Sequence, residues 1–214
     1  MKKSIFLVLA ISLFFVNCTS TKIYPRIKCL TCVGKSDGIL LMPLHWEPSF
    51  RKLSTAQLND LENRILNTMR EEGFTNVELY DRMDYELLNA GIRDINDPEQ
   101  RANINLELGI SYLLGLSLGE AEWTGDWNPI NSDEPELGTY WESDTRVSSM
   151  LRIALFETAT GEIVSDYAIE TTIDGLPIPI GDSESISLNF ASIVQAVRLS
   201  MKKGLRNLVK DCSC

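Results

Sequence analysis

An α/β chain in the order β-α-β-α-α-β-β-β-α, a two-layer sheet with its helices on one side, is predicted by three features of the sequence. Gly38-Ile39-Leu40-Leu41-Met42-Pro43-Leu44 is a short continuous apolar run, as in a strand buried on both faces. Behind it Leu58, Leu61, Ile65 and Met69 recur at helical spacing, and residues 74–80 return as a strand. From 110 onward, three strand patterns follow one another before a last helix.

The elements follow in order. Residues 19–37 are polar, with Pro25 and Gly34 at bends, and form the bulk of a tether over 18–37 ahead of a single domain at 38–209. Ser54 and Gln57 have the spacing of a capping box, and Gly73 supplies the stop. Residues 83–90 make a short helix ended by Gly91. Asp97 and Pro98 supply the N-cap and first position of another that runs to Leu108. Residues 110–118 are a strong strand. Leu151, Ile153 and Leu155 alternate with Arg152 and Ala154 as a half-buried strand, which Thr158-Ala159-Thr160-Gly161 turns into a partner carrying Ile163, Tyr167 and Ile169. Residues 173–185 are a Gly/Pro-rich loop. The last helix, about 186–209, has Phe190, Ile193, Val197, Met201, Leu205 and Leu208 on one stripe. Arg198, Lys202, Lys203 and Arg206 lie off that stripe, on a solvated face.

Composition excludes several classes. Hydrophobic residues are 44% and charged ones 23%, enough apolar content for a full core. A net charge of −10 is a poor match for nucleic acid or an anionic lipid surface. There is one histidine, His45, set in a turn, and no Gly-x-Ser-x-Gly, P-loop or Gly-x-Gly-x-x-Gly motif. No catalytic residue, metal, cofactor or small-molecule substrate is expected, and the chain reads as a non-enzyme.

The first 17 residues read as a signal peptide. Lys2 and Lys3 precede an apolar run over 5–16, broken only by Ser12 and too short to span a bilayer. Cys18 directly follows that run, and the arrangement resembles the lipobox of bacterial lipoproteins in a relaxed form, with Asn17 and Phe15 at −1 and −3. That resemblance implies acylation of Cys18, palmitate included, and a stable membrane anchor; a plain signal peptide or uncleaved anchor is the competing reading. Thr19, with no Asp after Cys18, favours the outer membrane.

Two cysteine pairs stand at opposite ends of the chain, Cys29 with Cys32 and Cys212 with Cys214, in a tail at 210–214. Export permits disulfides that staple the termini, with connectivity open; a four-thiolate zinc site and free thiols are the alternatives. Residues 120–144 hold eight carboxylates, no Lys or Arg, and Trp123, Trp127, Tyr140 and Trp141. Long loops with clustered aromatics suit recognition of a protein partner. Calcium binding and aromatics folded over a sheet edge compete with that reading, and no carboxylate spacing singles out a glycosidase pair.

Gly109-Ile110-Ser111-Tyr112-Leu113-Leu114-Gly115 and Glu157-Thr158-Ala159-Thr160-Gly161-Glu162-Ile163 resemble a helix-to-strand step and a return hairpin in a group of exported bacterial proteins. The group comprises the curli-secretion-channel lipoproteins, the lipoprotein activators of penicillin-binding proteins, and the amino-terminal domain of TolB. The resemblance implies an anticodon-binding-domain-like fold over about 38–209 and a place in the cell envelope. The expected function is a lipid-anchored outer-membrane adaptor, assembly factor or regulator that binds an envelope protein. A subunit of a secretion pore resembling the curli channel is the alternative, and an envelope hydrolase comes third.

Overall fold

Ile39, Leu40 and Leu41 are buried on both sides of their strand, and the rest of the sheet is laid down around them. The computed structural model describes residues 19–46, 54–95, 97–119, 146–179, 185–188 and 191–212. Seven strands make one mixed sheet: β1 (Thr19–Ile27), β2 (Gly38–Leu41), β3 (His45–Trp46), β4 (Val77–Leu79), β5 (Ile110–Leu118), β6 (Arg146–Glu157) and β7 (Ile163–Asp174). Their spatial order is β1-β7-β6-β5-β2-β4, with β3 pairing β5 beyond the end of β2. The β2, β3, β4 and β5 pairings are parallel, as strand–helix–strand connections require, while β5-β6-β7-β1 is antiparallel. β8 (Leu176–Pro179) and β9 (Ser185–Leu188) form a separate antiparallel pair.

Four helices complete the fold: α1 (Thr55–Glu71), α2 (Asp84–Asn89), α3 (Pro98–Leu108) and α4 (Ile193–Cys212). The capping box forms: the Gln57 N–H donates to Ser54 Oγ at 3.3 Å, and the Ser54 N–H donates to Gln57 Oε1 at 2.8 Å. The Asp97 carboxylate accepts from the backbone N–H groups of Glu99 and Gln100, so α3 starts where the Asp-Pro pair places it. The two long helices lie on one face. Leu61, Ile65, Val197 and Leu205 meet Ile39, Leu41, Leu114, Leu151 and Ile153 in the main core. Alternation along β2 and β5 sends Leu40 and Leu113 the other way, into a smaller cluster with Leu87, Ile92 and Ile104 from the α2–α3 region.

Four elements differ from the sequence expectation. His45, expected in a turn, opens β3 because it pairs with Ser117 of β5. The expected loop at 173–185 holds the end of β7 and all of β8. The other two are β1 and the start of the last helix. Residues 19–27, expected to be irregular, form a nine-residue strand whose register with β7 runs from Thr19 opposite Ile173 to Ile27 opposite Asp166. It is polar because it is an edge strand: of its side chains, Ile23 alone packs on the main core, and Lys22 and Pro25 guard the open edge. The last helix begins at Ile193 instead of near 186, because Ser185–Leu188 pair with Leu176–Pro179, and it continues to Cys212.

Gly38 marks the tightest approach in the sheet. A Cβ there would collide with the Gly109 carbonyl oxygen and lie 2.7 Å from Ile110 Cα, and the β2–β5 register shifts between Gly38 and Ile39. Backbone atoms cannot swing aside as a side-chain tip can. Gly38→Ala is therefore expected to destabilise by about 2 kcal/mol, measured as a fall in the urea midpoint at constant m-value.

Candidate functional site

The strand register gives the sheet two distinct ends. At one end the chain leaves after Trp46, Gly119 and Asp174 and re-enters at Ser54, Arg146 and Ile193, and there β1 begins at Thr19. β6, β7 and β1 overhang β5 here: Leu118 is opposite Leu151, whereas Val147 is aligned with Ile173 and Thr19. Four residues of overhang is about 13 Å. The ribbon is held by Arg146, whose guanidinium donates to Asp174 at 2.7 Å, and β5 closes onto it through the Gly119 N–H, which donates to the Met150 carbonyl at 3.2 Å. Ser20, Lys22, Glu170 and Thr172 line a shallow polar depression of about 220 Å³ beside that ion pair.

This end roots the sequence-predicted site. Cys18 immediately precedes Thr19, and Gly119 and Arg146 flank the acidic aromatic segment. Cys18, Trp123, Trp127, Tyr140 and Trp141 themselves lie outside the described residues, as does Cys214.

The opposite end is closed covalently. Cys29 is bonded to Cys212, with Cα atoms 5.2 Å apart, and Cys32 is also in a disulfide. The Val33 N–H donates to the Cys212 carbonyl at 2.8 Å, and the Leu30 N–H to the Val164 carbonyl at 3.1 Å. A four-thiolate zinc site loses Cys29 and Cys212 to this bond. Among the described residues no group of three or more potential metal ligands gathers. Beside the bond, the Tyr167 hydroxyl donates to Asp211 at 2.6 Å. Burial first, and that hydrogen bond second, push its pKa up to about 12.

The cations that the sequence places on a solvated face of α4 are exposed there, and several of them meet acceptors on neighbouring elements. Asp60 accepts from Arg64 at 2.8 Å on its own helix and from Arg198 at 2.6 Å across the α1–α4 groove, and these donors hold its carboxyl below the usual range. Arg206 reaches Glu72 at 2.9 Å, and Lys203 donates to the Thr21 carbonyl at 2.8 Å, tying α4 to β1. Helical spacing shows which face these cations occupy and is silent on the acids opposite. The groove, about 310 Å³, is lined by both charge signs, and its solvent-screened pairs contribute little to stability. Arg152, on the outward side of its strand pattern, makes a bidentate pair with Asp166, both contacts at 2.8 Å, with side chains only 11% and 3% exposed. Such a pair is a fixed part of the sheet, since losing one partner strands a buried charge at about 3–5 kcal/mol.

No family model matches this chain, and no curated protein matches it. Solved structures do. A variant of the PelC dodecamer from Paraburkholderia phytofirmans is similar over 88% of this chain and 98% of its own, at 10% identity and a TM-score of 0.50. Lipoprotein GNA1162 from Neisseria meningitidis matches over 79% and 98%, at 11% identity and a TM-score of 0.41. The LpoB C-terminal domain from Salmonella enterica matches over 62% and 81%, at 12% identity and a TM-score of 0.36. At 10–12% identity the likeness is one of fold alone.

The Tyr167–Asp211 contact makes stability pH-dependent in a definite direction. The folded tyrosine holds its proton to about pH 12, whereas an unfolded one releases it near 10. Its contribution is complete below about pH 10 and is lost as pH climbs toward 12. Urea unfolding at about pH 9 and about pH 11.5 should show a fall in stability that Tyr167→Phe reduces.

Proposed function

We propose that this chain is an outer-membrane lipoprotein, anchored through acylated Cys18, that binds another envelope protein as an adaptor, assembly factor or regulator. The observation that carries the reading is the shared root of the anchor and the acidic aromatic segment. Thr19 starts β1 at the sheet end where Gly119 and Arg146 bracket residues 120–145. A lipid on Cys18 therefore brings that segment to the membrane surface, within reach of a membrane-held partner. Trp123, Trp127, Tyr140 and Trp141 are the anchors of that contact, because buried aromatic residues carry much of the energy of protein interfaces. The eight carboxylates around them select a partner with a basic rim and keep the segment off anionic headgroups. Among the described residues no helix is long and apolar enough to cross a membrane.

The test uses full-length chain in intact cells. Cys18→Ala is expected to abolish fatty-acid labelling and detergent-phase partitioning. The double change Trp127→Ala and Trp141→Ala, in the lipidated chain, is expected to abolish crosslinking to the partner while stability stays within about 0.5 kcal/mol. Labelling that survives Cys18→Ala contradicts the anchor. A large loss of stability with crosslinking intact makes the tryptophans core residues and contradicts the binding site.

A further inference from the structure

The geometry points to a second binding site, on the sheet face away from α1 and α4, for a carboxylate carried on a short aliphatic body. A depression of about 210 Å³ lies there, lined by Met42, Ile95, Leu113, Phe156, Arg101 and Gly161. Met42, Ile95 and Phe156 rest on the smaller core, and Leu113 belongs to it, so these walls are apolar and backed by packed side chains. Arg101, from the first turns of α3, is the charged member. Its Nε is buried and has no hydrogen-bond partner, and no ion pair to its guanidinium forms among the described residues.

Asp97 lies within electrostatic reach of Arg101, yet neither it nor Glu157 forms an ion pair with the guanidinium. Asp97 accepts from the N–H groups of Glu99 and Gln100 and from the Gln100 side chain, and Glu157 accepts the Thr160 hydroxyl at 2.8 Å. The β6–β7 turn acts as a platform for the guanidinium. Gly161 has φ +73°, and a Cβ there would overlap Arg101, so its lack of a side chain leaves the cation room against the turn. The turn is itself pinned: the buried Thr158 hydroxyl donates to the Ile110 carbonyl at 2.8 Å, and the Thr158 N–H to the Ser111 carbonyl at 2.9 Å.

A partly buried guanidinium with an unpartnered Nε, apolar walls and no ion pair among the described residues is stabilised by an anion that brings its own apolar body. The planar guanidinium suits a carboxylate, which accepts two parallel N–H bonds. The volume is below the roughly 300 Å³ at which drug-sized clefts begin, which limits the occupant to a short chain. A free aliphatic acid and the terminal residue of a peptide present the same chemistry. This site is independent of the aromatic segment and of lipidation.

Calorimetric titration of the full chain with isocaproate, with its uncharged amide, and with acetyl-alanyl-leucine separates these cases. At least one carboxylate ligand is expected to bind, and which one does so identifies the source. The amide should bind at least about tenfold more weakly than the acid. Arg101→Gln should weaken the carboxylate by at least about tenfold and leave the amide unchanged, with Arg101→Lys intermediate and thermal melting confirming that each variant is folded. Equal binding of isocaproate and its amide, undiminished carboxylate binding by Arg101→Gln, or no binding of either carboxylate overturns the site.

Discussion

The bond between Cys29 and Cys212 fixes the frame on which everything else is placed. It joins residues 183 apart in sequence, the chain just beyond β1 and the last turn of α4. In the chain-entropy account, closing a loop of that length contributes about 5 kcal/mol by restricting the unfolded chain. Its structural consequence is larger than its energy. With Cys29 held to α4 and Lys203 reaching the Thr21 carbonyl, the nine residues of β1 are kept on the edge of β7, although only Ile23 among their side chains packs on the main core. An edge strand with so little apolar burial needs such a clamp.

That clamp sets the polarity of the molecule. The disulfide, the β6–β7 turn and the C-terminus of α4 share one end of the sheet, and Thr19, Gly119, Arg146 and Asp174 share the other. The first end is closed by covalent and main-chain bonds. The second is where the polypeptide departs into its long connections, which is where binding residues concentrate in rigid-scaffold folds. The Arg101 depression belongs to neither end. It sits on the sheet face opposite the long helices, beside the smaller core.

Much of the frame was legible in the sequence because it rests on local rules. The apolar run of β2, the Ser54–Gln57 box, the Asp97-Pro98 start and the Thr-Gly hairpin each have a signature spanning a few residues, and each forms where the sequence puts it. β1 was not legible, because an edge strand has no apolar alternation to betray it. The clasp of Asp60 by Arg198, 138 residues away, has no local trace either. Neither does the Arg101 depression, whose walls come from positions between 42 and 161. The cysteine spacing announced a link between the termini and left the choice of partners to the fold. The aromatic segment was conspicuous by composition alone, and its residues lie outside those the structure describes.

β1 starts directly after Cys18, so no flexible spacer separates a lipid on that cysteine from the sheet. Neutron reflectometry of the full lipidated chain on a supported bilayer measures that spacing directly. Protein density is expected to begin within about 10 Å of the headgroups, the reach of two or three extended residues. A hydrated gap of about 25 Å, which a flexible coil over residues 18–37 would give, contradicts it.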